Sequence, residues 1–198
     1  METVHPIRDI KKIESMKKAL LADKSNGTRN HLLFVLGINS GLRISDLLNL
    51  TVGDVVDSAG RVKKAISIRE QKTGKEKAFP INKNAANAIK LYINEFNSSG
   101  SSGSSDPTIP LFASRKGNKP ISRVQAWEIL NNAALDVGIT ESVGTHSLRK
   151  TFGYHAFKAG IGIERLQTIL NHSSPAITLR YIGITQDQID DVYLNLNL

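Results

Sequence analysis

Residues 145–181 read THSLRKTFGYHAFKAGIGIERLQTILNHSSPAITLRY, and the rest of the chain is organised around them. Apolar spacing predicts a helix over about 147–159, a break at Gly160-Ile161-Gly162, and a short helix over 163–170. A turn at 171–175 then leads into the segment 176–181. Set into this amphipathic background are His146, Arg149, His172 and Tyr181. Two imidazoles, a permanent cation and a phenol able to act as a nucleophile suit chemistry on a phosphodiester.

Bulk composition agrees with a phosphate partner. The net charge is +8, and basic surface releases condensed counterions when it meets nucleic-acid phosphates. At 198 residues, 40% of them hydrophobic, the chain reads as a single domain that buries a full core without staples. It contains no cysteine, which excludes disulfides, thiol catalysis and zinc-finger ligation and fits a reducing compartment. The first residues lack the apolar core of a signal peptide, and no segment reaches membrane-spanning length, so a cytoplasmic protein without a membrane partner is expected.

Upstream, Ile10, Ile13, Met16, Ala19 and Leu20 recur at helical spacing with lysines opposite. A second helix, capped at Asn26 or Thr28, runs through Leu32, Leu33, Val35 and Leu36 as a buried element and stops at Gly41. LRISDLLNL (42–50) follows, with Arg43 at its start and Asp46 three residues on, spaced to hold or orient it. Between 52 and 81 the apolar period shortens to two, predicting two or three antiparallel strands. The last pair forms a hairpin carrying Lys72, Lys75 and Lys77, suited to edge protection or to reaching a phosphate.

Helix returns over 84–96, and NSSGSSGSSD (97–106) reads as a flexible surface loop. A helix over 121–137, capped by Ser122, presents Val124, Trp127, Ile129, Leu130, Ala133, Ala134 and Val137 as its expected buried stripe. Residues 184–198 form an amphipathic C-terminal segment with Ile184, Ile189, Val192, Tyr193 and Leu196 on one face. No internal repeat is present. The fold expected is mainly α with a small antiparallel β-sheet, an α+β domain.

Attack on a phosphodiester by a side-chain hydroxyl needs an aligned nucleophile, a proton acceptor, cations for the growing charge and a proton for the leaving oxygen. No metal pattern is present: Asp187, Asp190 and Asp191 read as the solvent face of the last helix. The cations must then come from side chains, with Arg43 and Arg149 able to clamp one phosphate. His146 lies one turn before Arg149, His172 supplies a donor from the next turn, Lys72 can protonate a leaving oxygen, and Tyr181 is the candidate nucleophile.

Taken together, these pieces resemble the tyrosine recombinase/phage integrase family. The resemblance is carried by SGLRISDLLNL with Arg43, QKTGKEKAFPI with Lys72, THSLRKTFGYH with His146 and Arg149, and LNHSSPAITLRY with His172 and Tyr181. It extends from about residue 8 to the C-terminus.

The resemblance implies the catalytic-domain fold of that family and strand exchange on double-stranded DNA with no metal and no cofactor. Tyr181 would form a 3′-phosphotyrosyl link and free a 5′-hydroxyl. Arg43, Arg149 and His172 would stabilise the phosphorane, Lys72 would protonate the leaving oxygen, and His146 would accept a proton or bind phosphate. The family acts in a synaptic tetramer in which a C-terminal segment docks on a neighbour. Residues 184–198 are amphipathic enough for that, and packing in cis suits them equally. The family's upstream core-binding domain is expected to be absent, since the first helix begins near residue 9. Two other readings share the motifs: a recombinase-like DNA-binding regulator without turnover, and a relaxase of the type IB topoisomerase kind.

Overall fold

A computed structural model describes residues 4–98, 106–115, 119–184 and 194. The expected serine- and glycine-rich loop and nearly all of the C-terminal segment lie outside the described residues. Among the described residues the fold is mainly helical with one antiparallel sheet, of two strands where the periodicity predicts two or three.

Helix α1 (Ile10–Leu21) starts at Asp9, whose carboxylate accepts from the Lys11 amide, and buries Ile13, Met16 and Leu20. Ile10, expected on that face, is 65% exposed because it opens the first turn, before the helix meets its neighbours. Helix α2 (Gly27–Ser40) is the centre of the molecule, buried along most of its length and packed chiefly by α1, before it in the chain, and by two later helices. It ends at Gly41 with φ +61°, a left-handed conformation that L side chains resist.

Helix α3 (Ile44–Leu48) follows after Arg43, its N-cap residue, and Leu42, Leu47, Leu48 and Leu50 are all buried. The first residues of the expected strand region instead form a short helix, α4 (Val52–Val55). The reason is local: Thr51 and Asp54 close a capping box over that turn. The sheet proper is β1 (Ala65–Arg69) against β2 (Glu76–Pro80), in register Ile66↔Phe79 and Ile68↔Lys77.

Helix α5 (Lys83–Ser98) packs on α2. Helix α6 (Arg123–Asp136) begins with the expected Ser122 cap, completed by Gln125. Its buried residues are Ala126, Leu130, Ala133 and Ala134, whereas Val124 is 63% and Trp127 45% exposed. The covered face of α6 is thus built mostly of small side chains, Ala126, Ala133 and Ala134 around Leu130, and Val124 and Trp127 lie outside it.

Helices α7 (Thr145–Lys158), α8 (Ile163–Leu170) and α9 (Pro175–Ile182) complete the described chain, with α9 capped by Ser174. Helix α7 meets α2 where Gly37 leaves room: a Cβ there would lie 2.5 Å from the Leu148 side chain. A second apolar cluster of Tyr154, Leu170, Ile182 and Ile184 seats α9 against α7 and α8. Residues 4–8 lie across α7 as a strap. The Ile7 amide donates to Thr151 at 2.9 Å, Lys150 donates to the Val4 carbonyl at 2.7 Å, and Arg8 donates to the Gly183 carbonyl at 2.8 Å. No helix among the described residues is long and apolar enough to cross a membrane.

Candidate active site

Four breaks in the chain face one another here: the N-terminus of α3, the β1–β2 turn, the N-terminal turn of α7, and the passage from α8 into α9. Between them lies a cleft of about 500 Å³ lined by Arg43, Lys72, His146, Arg149, His172 and Tyr181. All six residues singled out by the sequence therefore meet at one place, although Arg43 and Tyr181 stand 138 positions apart in the chain. Among the described residues, no group of three His, Asp or Glu side chains is arranged to hold a metal.

Arg149 is the floor of the cleft. It is almost wholly buried on α7, and its guanidinium donates to two backbone carbonyls, Gly41 at the end of α2 and Leu170 at the end of α8. Helix C-termini carry partial negative charge, so two of them seat the cation without a carboxylate. A planar guanidinium with five donors still has capacity left for a phosphate.

Arg43 is held differently. Its Nη1 lies 2.9 Å from a Glu70 carboxylate oxygen, an ion pair rather than an aligned hydrogen bond, and 18% of the side chain stays open to solvent. Asp46, expected to orient Arg43, is engaged elsewhere. Buried itself, it accepts from the Gln71 amide at 2.9 Å and thereby pins the turn that presents Lys72. In place of an Arg43–Asp46 pair the fold uses two buried carboxylates, Glu70 for the arginine and Asp46 for the hairpin.

Glu70 is the residue that sequence reasoning missed. It is buried at the end of β1, pairs with Arg43, and accepts from Thr73 at 2.7 Å and from Asn171 at 3.4 Å. Burial alone would raise its pKa, but the Thr73 hydroxyl and Arg43 outweigh it and hold the carboxyl below its ordinary value. Asn171, at φ +48°, ends α8 immediately before His172. One carboxylate thus ties together the elements that carry Arg43, Lys72 and His172.

Lys77, expected beside Lys72 and Lys75 as part of a basic hairpin, is set apart from them. It shares the inward face of the sheet with Ile66, Ile68 and Phe79 and donates to the Ile169 carbonyl at 3.0 Å. Burial, and then Arg149, push its pKa down. Strand parity with Phe79 and Ile81 carries that signal in the sequence. Lys72 stays exposed at the cleft rim. Arg123, the first residue of α6, also lines the cleft, and no motif marks it in the sequence.

The titrating groups divide clearly. Burial raises the Tyr181 phenol, and Arg149 and Arg43 only partly oppose this. Enclosure lowers His146, helped by Arg123, Lys150 and Arg149, and also lowers His172, helped by Arg149 and Arg43. At neutral pH the cleft therefore holds a protonated phenol beside neutral imidazoles and fixed cations. The rings of His172 and Tyr181 meet edge to face with centroids 4.8 Å apart, and Lys150 Nζ lies 5.4 Å from the Tyr181 ring.

Residues 9–187 match the phage integrase family. The chain is 42% identical over 193 residues to a probable integrase/recombinase, YoeC, of Bacillus subtilis, covering 98% of this chain and 97% of that one. The chain belongs to the phage integrase family. Another integrase-family relative, the tyrosine recombinase XerC of Pelobacter propionicus, is 26% identical over 93% of this chain but 57% of its own length. The chain thus spans little more than half of that relative.

Among solved structures of this fold, the XerA recombinase superposes with a TM-score of 0.75 at 21% identity, over 100% of this chain and 67% of that one. The XerH site-specific recombinase, solved bound to its difH substrate before cleavage, gives 0.69 at 17% identity over 97% and 53%. This integrase-family chain therefore has the tyrosine recombinase catalytic-domain fold.

Proposed function

We propose that this chain is the catalytic domain of a tyrosine-type site-specific DNA recombinase acting on double-stranded DNA in the cytoplasm. The observation that carries the reading is the convergence of a half-buried tyrosine, two arginines, two histidines and a lysine on one cleft. That set meets every need of hydroxyl attack on a phosphodiester, and DNA binding alone has no use for the tyrosine.

In this reading Arg43 and Arg149 clamp the scissile phosphate, and Tyr181 Oη attacks phosphorus. The phenolic proton passes to His146. The bond from phosphorus to the 5′ oxygen breaks, and Lys72 gives that oxygen its proton, leaving a 3′-phosphotyrosyl link and a free 5′-hydroxyl. Arg43, Arg149 and His172 balance the charge of the pentacovalent state. The same groups run in reverse when a 5′-hydroxyl from a partner strand attacks the phosphotyrosine, exchanging the strands within a tetramer assembled on DNA. No free energy source is needed, since the broken bond is conserved in the phosphotyrosine.

The test is covalent trapping on a nicked suicide duplex carrying the cognate site, read as a band of protein linked to DNA. Wild type forms the adduct, and Tyr181→Phe forms none while keeping its DNA affinity. Site-specific binding without any adduct in wild type would assign the chain to DNA-binding regulators instead. Relaxation of supercoils without exchange between two sites would assign it to topoisomerase-like relaxases.

A further inference from the structure

Thr178 lies on α9, one turn before Tyr181, and is fully buried. Its Oγ1 lies 3.2 Å from the Ser174 carbonyl and 3.1 Å from His172 Nδ1. A hydroxyl has one proton, and a carbonyl can only accept. Both contacts are hydrogen bonds only if the proton points to Ser174 and Oγ1 accepts from Nδ1–H. The reverse arrangement, with the hydroxyl donating to Nδ1, gives up the Ser174 bond of a fully buried side chain. The second ring nitrogen, Nε2, makes no hydrogen bond among the described residues, and His172 lines the cleft.

We propose that Thr178 is a positioning residue that fixes the tautomer of His172, keeping the proton on Nδ1 and leaving Nε2 as the one ring atom that titrates. The proposal rests on the reading of the cleft as a DNA-cleaving site. A neutral His172 then presents only a lone pair at Nε2, which repels a phosphate oxygen, so His172 can donate to the phosphorane only as imidazolium.

The groups facing His172 are Arg149 from α7, Arg43 ahead of α3 and Tyr181 from α9, with Lys72, His146 and Arg123 in the same cleft. The ring's enclosure and the two arginines favour the neutral form in the free protein. A phosphate seated between them reverses the balance. DNA binding is then coupled to uptake of a proton at Nε2. The stabilisation that His172 gives is present at low pH and lost as pH rises through its DNA-bound pKa.

Nitrogen-15 chemical shifts of the His172 ring in the free wild-type protein read the tautomer directly, and a proton on Nδ1 with a bare Nε2 is expected. The opposite tautomer overturns the proposal, whatever happens with DNA. On the suicide duplex, Thr178→Val is expected to slow adduct formation at least about tenfold, the scale of losing a partner that orients a functional histidine. It also changes the alkaline limb of the pH profile, and Thr178→Ser restores both rate and profile. Equal slowing at every pH with no rescue by serine overturns the idea. If Thr178→Val fails to fold, the wild-type shifts still decide. Absence of any adduct in wild type counts against the recombinase reading and leaves the tautomer measurement standing.

Discussion

Glu70 meets three partners from three different parts of the chain, and its charge state therefore bears on stability as well as on chemistry. Breaking a fully buried ion pair costs about 3–5 kcal/mol. Arg43 keeps some of its side chain in solvent, so Glu70→Ala is expected to lower the unfolding free energy by roughly 2 kcal/mol. Because the folded-state pKa of Glu70 lies below its ordinary value, its contribution is present above the ordinary carboxylate range and lost as pH falls through the lowered value. Urea midpoints measured from acid to neutral pH should converge for wild type and Glu70→Gln at the acid end and separate toward neutrality. Parallel curves would show that Glu70 stabilises nothing through its charge. Neither Glu70 nor the hydrogen bond from Gln71 to Asp46 is legible in the sequence, because a carboxylate's partner is set by what folds over it.

At the scale of elements, the position of Tyr181 depends on how closely α9 can lie on α7. Gly153 makes that approach possible: a Cβ there would stand 2.6 Å from Ile182 Cγ2, next to Tyr181 in the chain. Ile182 is fully buried and β-branched, so it cannot swing aside. Gly153→Ala is expected to cost about 1–3 kcal/mol, the usual range for overpacking, and to displace Tyr181. Thermal melts should show the first effect, and loss of the phosphotyrosyl adduct with DNA affinity retained should show the second. The elements themselves are largely readable. The Ser122 cap, the stop at Gly41 and the hairpin are each written in local chemistry. The buried stripe of α6 is not, because periodicity identifies a helix but not how near its neighbours come.

Across the whole molecule, the strap formed by residues 4–8 joins the approach to α1 to the end of α9, the helix that carries Tyr181. Arg8 donates to the Gly183 carbonyl just beyond α9 and lies 5.5 Å from the Tyr154 ring, while His155 Nε2 contacts the Ile7 carbonyl at 2.9 Å. Arg8→Ala removes a hydrogen bond from a charged donor and a cation–π contact, together roughly 1–3 kcal/mol. The expected outcome is a lower melting temperature, with faster amide hydrogen exchange in α9 but not in α2. Uniform loosening of both helices would mean that the strap serves general stability and does not act on α9 in particular.

The class of fold and the candidate side chains are already present in the order of residues, because helix period, caps, turn residues and reactive side chains are properties of short stretches. Six residues that line the cleft can be named from that order without any knowledge of distance, and Arg123 cannot. What it does not contain is the support behind them: Glu70 rather than Asp46 at Arg43, two helix C-termini under Arg149, Lys77 turned inward and Thr178 behind His172. Those contacts join residues far apart in the chain or depend on which face of an element is covered. Burial and electrostatic pairing are fixed only once the elements pack, and packing alone turns residues 145–181 from a motif into half of a cleft.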